Sequence, residues 1–138
     1  MSVVVDASVL IAATIDAGPA GTWAEGVLES GDLHAPELVL VEATNILRRL
    51  ERAKKISSAQ AEIAHQHHLQ LPVALYPFEP AAERIWELRH TLTSYDAWYV
   101  ALAEMLEMPL ATLDARLARA SGPSCRFVLP RSTGARAE

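Results

Sequence analysis

The chain is 138 residues long, with 51% apolar residues and a formal net charge of −5. That length fits one domain able to bury a core without crosslinks, and the single cysteine, Cys125, excludes an internal disulfide framework and a cysteine-based zinc site. The acidic balance argues against a nucleic-acid coat protein but not against an enzyme acting on nucleic acid, since an acidic metal-binding site is itself negative. The stretch Ser2 to Ala13 lacks a basic-then-apolar leader and no apolar run reaches bilayer length, so a soluble, cytoplasmic protein is expected.

Val3 to Val5 predicts a short strand of β-branched residues, followed by a helix over Ala7 to Ala13. A loop at Asp16-Ala17-Gly18-Pro19 leads into a helix from about Ala20 to Glu29, stopped by Ser30-Gly31-Asp32. Leu33-His34-Ala35 predicts a short strand ending at Pro36. A long helix is expected from Glu37 to about Lys54. Val39, Ala43, Ile46, Leu50 and Ala53 form its apolar face, and Glu42, Asn45, Arg49 and Arg52 a polar stripe.

Ser57 or Ser58 can cap a helix reaching about Leu71. Val73 to Phe78 predicts a strand, and Pro80 opens a helix to about Thr91. Ser94 is the expected cap of a helix from Tyr95 to Leu106. Strand Pro109 to Leu113, a helix from Asp114 to about Ala120, and strand Arg126 to Leu129 complete the pattern. Strands alternating with helices across long connections predict a parallel sheet covered on both faces. Residues 1–129 are expected to form the domain and the polar stretch 130–138 a frayed tail.

Four acids carry the chemistry, and each also has a purely structural explanation. Asp6 and Asp114 each follow a predicted strand and precede a helix, where a carboxylate caps free amides. Asp96 lies in the first turn of SYDAWYVALA, a helix that looks buried almost all round, so its carboxylate is expected in a dry place. Glu42 is compatible with a solvated position on the polar stripe. Taken jointly they read differently. Ligands of open parallel sheets bind beyond the carboxyl ends of the strands, and all four acids can face that end. Carboxylates gathered there repel one another unless a counter-charge joins them, and a hard divalent cation, Mg²⁺ or Mn²⁺, suits an all-oxygen set.

The stretches VVVDASVLIAA, VEATNILRR, SYDAWYVALAE and LATLDARLARA resemble the PIN-domain ribonucleases, most closely the VapC toxins of bacterial toxin–antitoxin pairs. The resemblance runs from about Val3 to Val128. It implies a three-layer α/β/α fold with a central parallel sheet flanked by helices, and Mg²⁺- or Mn²⁺-dependent endonucleolytic cleavage of RNA. It places the family's acids on Asp6, Glu42, Asp96 and Asp114, as metal ligands and catalytic residues. Supporting hydroxyls fall on Ser8 and Thr112, and a polar neighbour on Asn45. Ala7 departs from the pattern, where threonine is common. The resemblance also implies a VapB-type antitoxin, covering the acids with a basic residue and an amphipathic segment, and a homodimer.

Arg48 to Lys55 is the densest basic stretch; Arg48 and Arg49 can contact RNA phosphates, or form the ordinary positive end of a helix. Arg116 and Arg119 have the same two explanations. His65 and His68 share a helix face without a completing acid or cysteine, so a solvated face is expected. Trp23, Trp86 and Trp98 are expected as core or interface anchors. Two other functions share the predicted architecture: a non-catalytic nucleic-acid or protein-binding module, and a phospho-receiver domain. The receiver needs a lysine after a late strand, and the only lysines are Lys54 and Lys55.

Overall fold

Val3, Val4 and Val5 are wholly buried, and they form the middle of the sheet. The computed structural model describes residues 1–131. Strand β1 (Ser2–Val5) leads to α1 (Ala7–Ile15), α2 (Pro19–Ser30), β2 (Asp32–Pro36), α3 (Leu38–Arg52), α4 (Ser58–Gln70) and β3 (Val73–Tyr76). A 3₁₀ turn (Glu79–Ala81) then runs into α5 (Ala82–Glu87), α6 (Ser94–Leu106), β4 (Leu110–Ala111), α7 (Ala115–Arg119) and β5 (Phe127–Val128). The expected tail at 130–138 lies, apart from Pro130 and Arg131, outside the described residues.

All strand pairs are parallel and the order is β3-β2-β1-β4-β5. Such neighbours need long crossovers, and the helices supply them. Helices α1 to α4 pack on one another, while α6 lies against β1, β2 and β4 and carries α5 on its flank. The result is the expected three-layer α/β/α fold. Each wholly buried valine of β1 contributes about 1.5–3 kcal/mol through removal from water.

Several boundaries differ from the sequence-based expectation. Helix α3 stops at Arg52 rather than Lys54, because Lys54 turns into the left-handed region at φ 61°. Its buried face is Val39, Ala43 and Leu47, with Ala53 exposed. The helix expected from Pro80 to Thr91 is a 3₁₀ turn followed by a single short helix ending at Glu87. Thr93 caps α6, its hydroxyl accepting from the Asp96 amide at 3.1 Å, so Ser94 is already inside the helix. Ala74 and Leu75 are exposed because β3 is an edge strand.

Three side chains also correct or narrow the expectation. His68 is 3% exposed, packed against α1 with Nε2 3.1 Å from the Leu10 carbonyl; it is not solvated. Trp86 is 66% exposed beneath the Arg89 guanidinium, 4.2 Å from its ring centre, so of its two expected roles, core or interface anchor, it does not fill the core one. Asp96 is half-buried rather than dry. Trp23 and Trp98 do pack against the core.

Candidate active site

The strand order reverses at β1, so a crevice opens between the carboxyl ends of β1 and β4. The Asp6 amide donates to the Ala111 carbonyl at 3.3 Å, which brings the residues after the two strands side by side. There a cleft of about 310 Å³ is lined by Asp6, Glu42, Asp96 and Asp114, together with Ser8, Asn45, Arg49 and Tyr99. The four acids, spread over more than a hundred residues of chain, therefore share one cavity.

Local chemistry places each of them. Asp6 follows β1 and caps α1, its Oδ1 accepting from the Ser8 amide at 3.0 Å and the Val9 amide at 3.4 Å. The Ser8 hydroxyl donates to the same oxygen and accepts from the Leu113 amide at 3.0 Å, tying the β1 exit to the β4 exit. Asp114 repeats the arrangement at α7, accepting from the Arg116 amide at 3.0 Å and the Leu117 amide at 3.3 Å. Thr112 is wholly buried, and its hydroxyl accepts from the Asp114 amide at 3.0 Å. Ser8 and Thr112 thus both brace the segments that present the acids. Ala7, where the resembled family often has threonine, adds no hydroxyl.

Glu42 and Asp96 arrive on helices from opposite layers. Glu42 lies one turn into α3, whose polar stripe also brings Asn45 and Arg49 to the cleft. Arg48, next along the helix, points elsewhere and lines a separate groove with Glu51 and His65. Asp96 sits in the first turn of α6. Arg116 Nε is 3.9 Å from Asp114 Oδ1 on an exposed side chain.

The sequence reading missed Tyr99. It is 2% exposed, and its hydroxyl donates to Glu42 Oε1 at 2.6 Å. The available signal was spacing: Tyr99 lies three residues after Asp96, on the same face of α6.

The electrostatics of the cleft are those of crowded, partly buried acids, with Arg49 in the lining and Arg116 beside Asp114 as the nearby cations. Burial pushes Asp6 up to about 6, against the pull of the Ser8 and Thr112 hydroxyls and the Val9 and Ser8 amides. Burial also raises Glu42, and the charge of Asp96 adds to it, while Tyr99 opposes. Asp96 is raised by burial and by Asp114, with Arg116 and Thr93 working the other way. Among the described residues no three acid, cysteine or histidine side chains converge closely enough to enclose an ion. The donors nevertheless fit a hard dication: all four are carboxylates, they share one cavity, and burial, with a neighbouring acid adding to it, raises two of them.

A profile of the PIN domain matches residues 3–123. Ribonuclease VapC9 of Mycobacterium tuberculosis is 40% identical over 130 residues, covering 94% of this chain and 99% of that protein. Among solved structures, M. tuberculosis VapC20, described as a sarcin–ricin loop cleaving toxin, superposes with a TM-score of 0.65 at 19% identity, over 85% of this chain and 93% of that one. VapBC2 from Rickettsia felis, bound to a DNA fragment from its promoter, gives a TM-score of 0.67 at 14% identity, over 94% and 98%. These two likenesses concern the fold.

Proposed function

This chain belongs to the PIN-domain family, as a VapC-type ribonuclease, and on that premise we propose that its four-acid cleft is a divalent-cation site where RNA is cut. The chain is an endoribonuclease toxin of a VapBC-type pair. The observation that carries the site assignment is the gathering of Asp6, Glu42, Asp96 and Asp114 in one cleft at the β1/β4 crevice. The four carboxylates would hold Mg²⁺ or Mn²⁺. Bound there, the ion would supply a nucleophilic water and stabilise charge on the phosphodiester in transition.

The chain's own residues do the rest. Helix α1 orients Asp6 through its amides, and Ser8 keeps that carboxylate against the β4 exit. Thr112 sets the backbone of Asp114. Arg49, which lines the cleft, and Arg116, beside Asp114, would meet RNA phosphates. Asn45 offers an amide to the same strand. Arg48 faces a neighbouring groove and would touch only RNA extending beyond the cleft.

The proposed partners are RNA, a VapB-type antitoxin and a second copy of the chain. Exposed apolar side chains such as Val41, Leu75 and Phe78 provide surface for the protein partners. Among the described residues no helix is long and apolar enough to cross a membrane; a cytoplasmic site of action accords with an RNA substrate. The receiver alternative fails with family membership, and Lys54 and Lys55 lie beyond the end of α3.

The test is cleavage-site mapping on total RNA with the purified chain. Discrete cuts are expected with Mn²⁺, and none in EDTA or with Asp96→Asn. Cuts that persist in EDTA would overturn the cation site. A chain that binds RNA but never cuts it would return the non-catalytic module.

A further inference from the structure

Tyr99 is the buried group at the cleft that the four acids do not explain. Its neighbours on α6, Ala97, Val100 and Ala101, are wholly buried and apolar, so a phenylalanine would serve the packing as well. A buried phenol is costly unless its hydroxyl finds a partner. Here the partner is Glu42 Oε1 at 2.6 Å, on a helix of the opposite layer and 57 residues away in the chain. Burial, the Glu42 hydrogen bond and the charges of Glu42 and Asp6 push the phenol far above its ordinary range, with the Ala7 amide pulling the other way; the group stays protonated and donates. A glutamate held in this way keeps one orientation, where an exposed one samples many rotamers.

We propose that Tyr99 is a positioning residue for cation capture: its hydroxyl holds Glu42 of α3 in place opposite Asp96 of α6, so that the two acids receive the ion already oriented. Tyr99 acts through Glu42, since it is 2% exposed and its hydroxyl is engaged by that carboxylate. The inference rests on the four-acid cleft being the cation site proposed above.

Thermal melting during a Mn²⁺ titration reads binding without any cleavage. Tyr99→Phe keeps the ring and removes the hydroxyl. Its metal-free melting temperature is expected within a few degrees of the parent, while the Mn²⁺ concentration for half-maximal stabilisation rises on the order of 10-fold. In a Glu42→Ala background, adding Tyr99→Phe should move that concentration by less than about 2-fold, because the two changes remove one and the same contribution. In cleavage assays saturating Mn²⁺ should restore kcat of Tyr99→Phe, with KM for RNA unchanged throughout. A Tyr99→Phe chain that titrates like the parent, or that shifts equally with and without Glu42, overturns the proposal. Absence of Mn²⁺ stabilisation in the parent chain is a separate outcome; it removes the cation site itself, and this inference with it.

Discussion

Glu42 and Glu104 are both partly buried glutamates on helices that flank the sheet, and they are held in opposite ways. Glu104, on α6, takes a two-pronged contact from Arg84 of α5, with Nε at 2.7 Å and Nη2 at 3.2 Å. It also accepts from the Ser124 amide at 2.7 Å, and Arg84 reaches the Gly122 carbonyl at 2.8 Å. Burial works to raise Glu104, but Arg84 and Ser124 outweigh it and the carboxyl ends below its ordinary range. At Glu42 burial dominates and the charge of Asp96 adds to it, while the Tyr99 hydroxyl only partly opposes them, so it ends above. The contrast separates a compensated charge from an uncompensated one. Glu104 closes the loop before β5 onto α5 and α6. The rim acids, four carboxylates against Arg49 in the lining and Arg116 beside Asp114, keep a net negative charge that an added cation would offset.

Four experiments would break or sharpen that contrast. The largest effect is expected from Asp6→Asn, which can still cap α1 but loses the charge. Mn²⁺-dependent RNA cleavage should fall on the order of 10²-fold or more, with the melting temperature equal to the parent's or higher. A gel assay beside a thermal melt checks both halves, and retained cleavage breaks the assignment of Asp6.

The second concerns pH in the metal-free protein. Asp6 titrates at about 6 when folded, against an ordinary 3.8. A raised carboxyl stabilises the fold only while protonated, so its contribution is present below about pH 4 and lost as pH climbs through 6. Asp6 alone accounts for up to about 3 kcal/mol of that loss. Glu42 and Asp96 act in the same direction, and Glu104 in the opposite one. In EDTA, the melting advantage of Asp6→Asn over the parent should therefore widen between pH 4 and 6. A constant difference across that range would show that Asp6 titrates as an ordinary carboxylate.

The third tests the compensated side. Arg84→Ala leaves Glu104, whose side chain is 14% exposed, without its cation. A loss of about 2 kcal/mol is expected, read as a lower melting midpoint, with RNA cleavage per folded molecule unchanged. The smallest effect belongs to Arg49→Ala. RNA binding should weaken several-fold across sequences, and the log–log salt dependence should flatten by about one unit. Arg48→Ala, in the neighbouring groove, should do less.

The sequence made the architecture readable because its periodicities are local. The β-branched run Val3 to Val5, the polar break at Ser30-Gly31-Asp32 and the apolar spacing of α3 each report on a few consecutive residues. Asp6 and Asp114 were readable for the same reason, since a carboxylate between a strand and a helix announces itself as a cap. Finer details escaped where two adjacent residues competed, as Thr93 and Ser94 did for one cap. The sequence misplaces His68, and leaves Trp86 open between core and interface, because burial depends on what a neighbouring element covers, and nothing near them in the chain records that.

By itself, then, the order of residues determined the alternation of strands and helices, the apolar faces that join them, and the acids at the strand ends. Tertiary structure alone decided that Glu42 would meet Tyr99, that Ser8 would bridge two strand exits, and that Arg49 would enter the cleft while Arg48 turned away. Local propensity acts over a few bonds, whereas these contacts form between side chains far apart along the chain, and their partners exist only once the layers have packed.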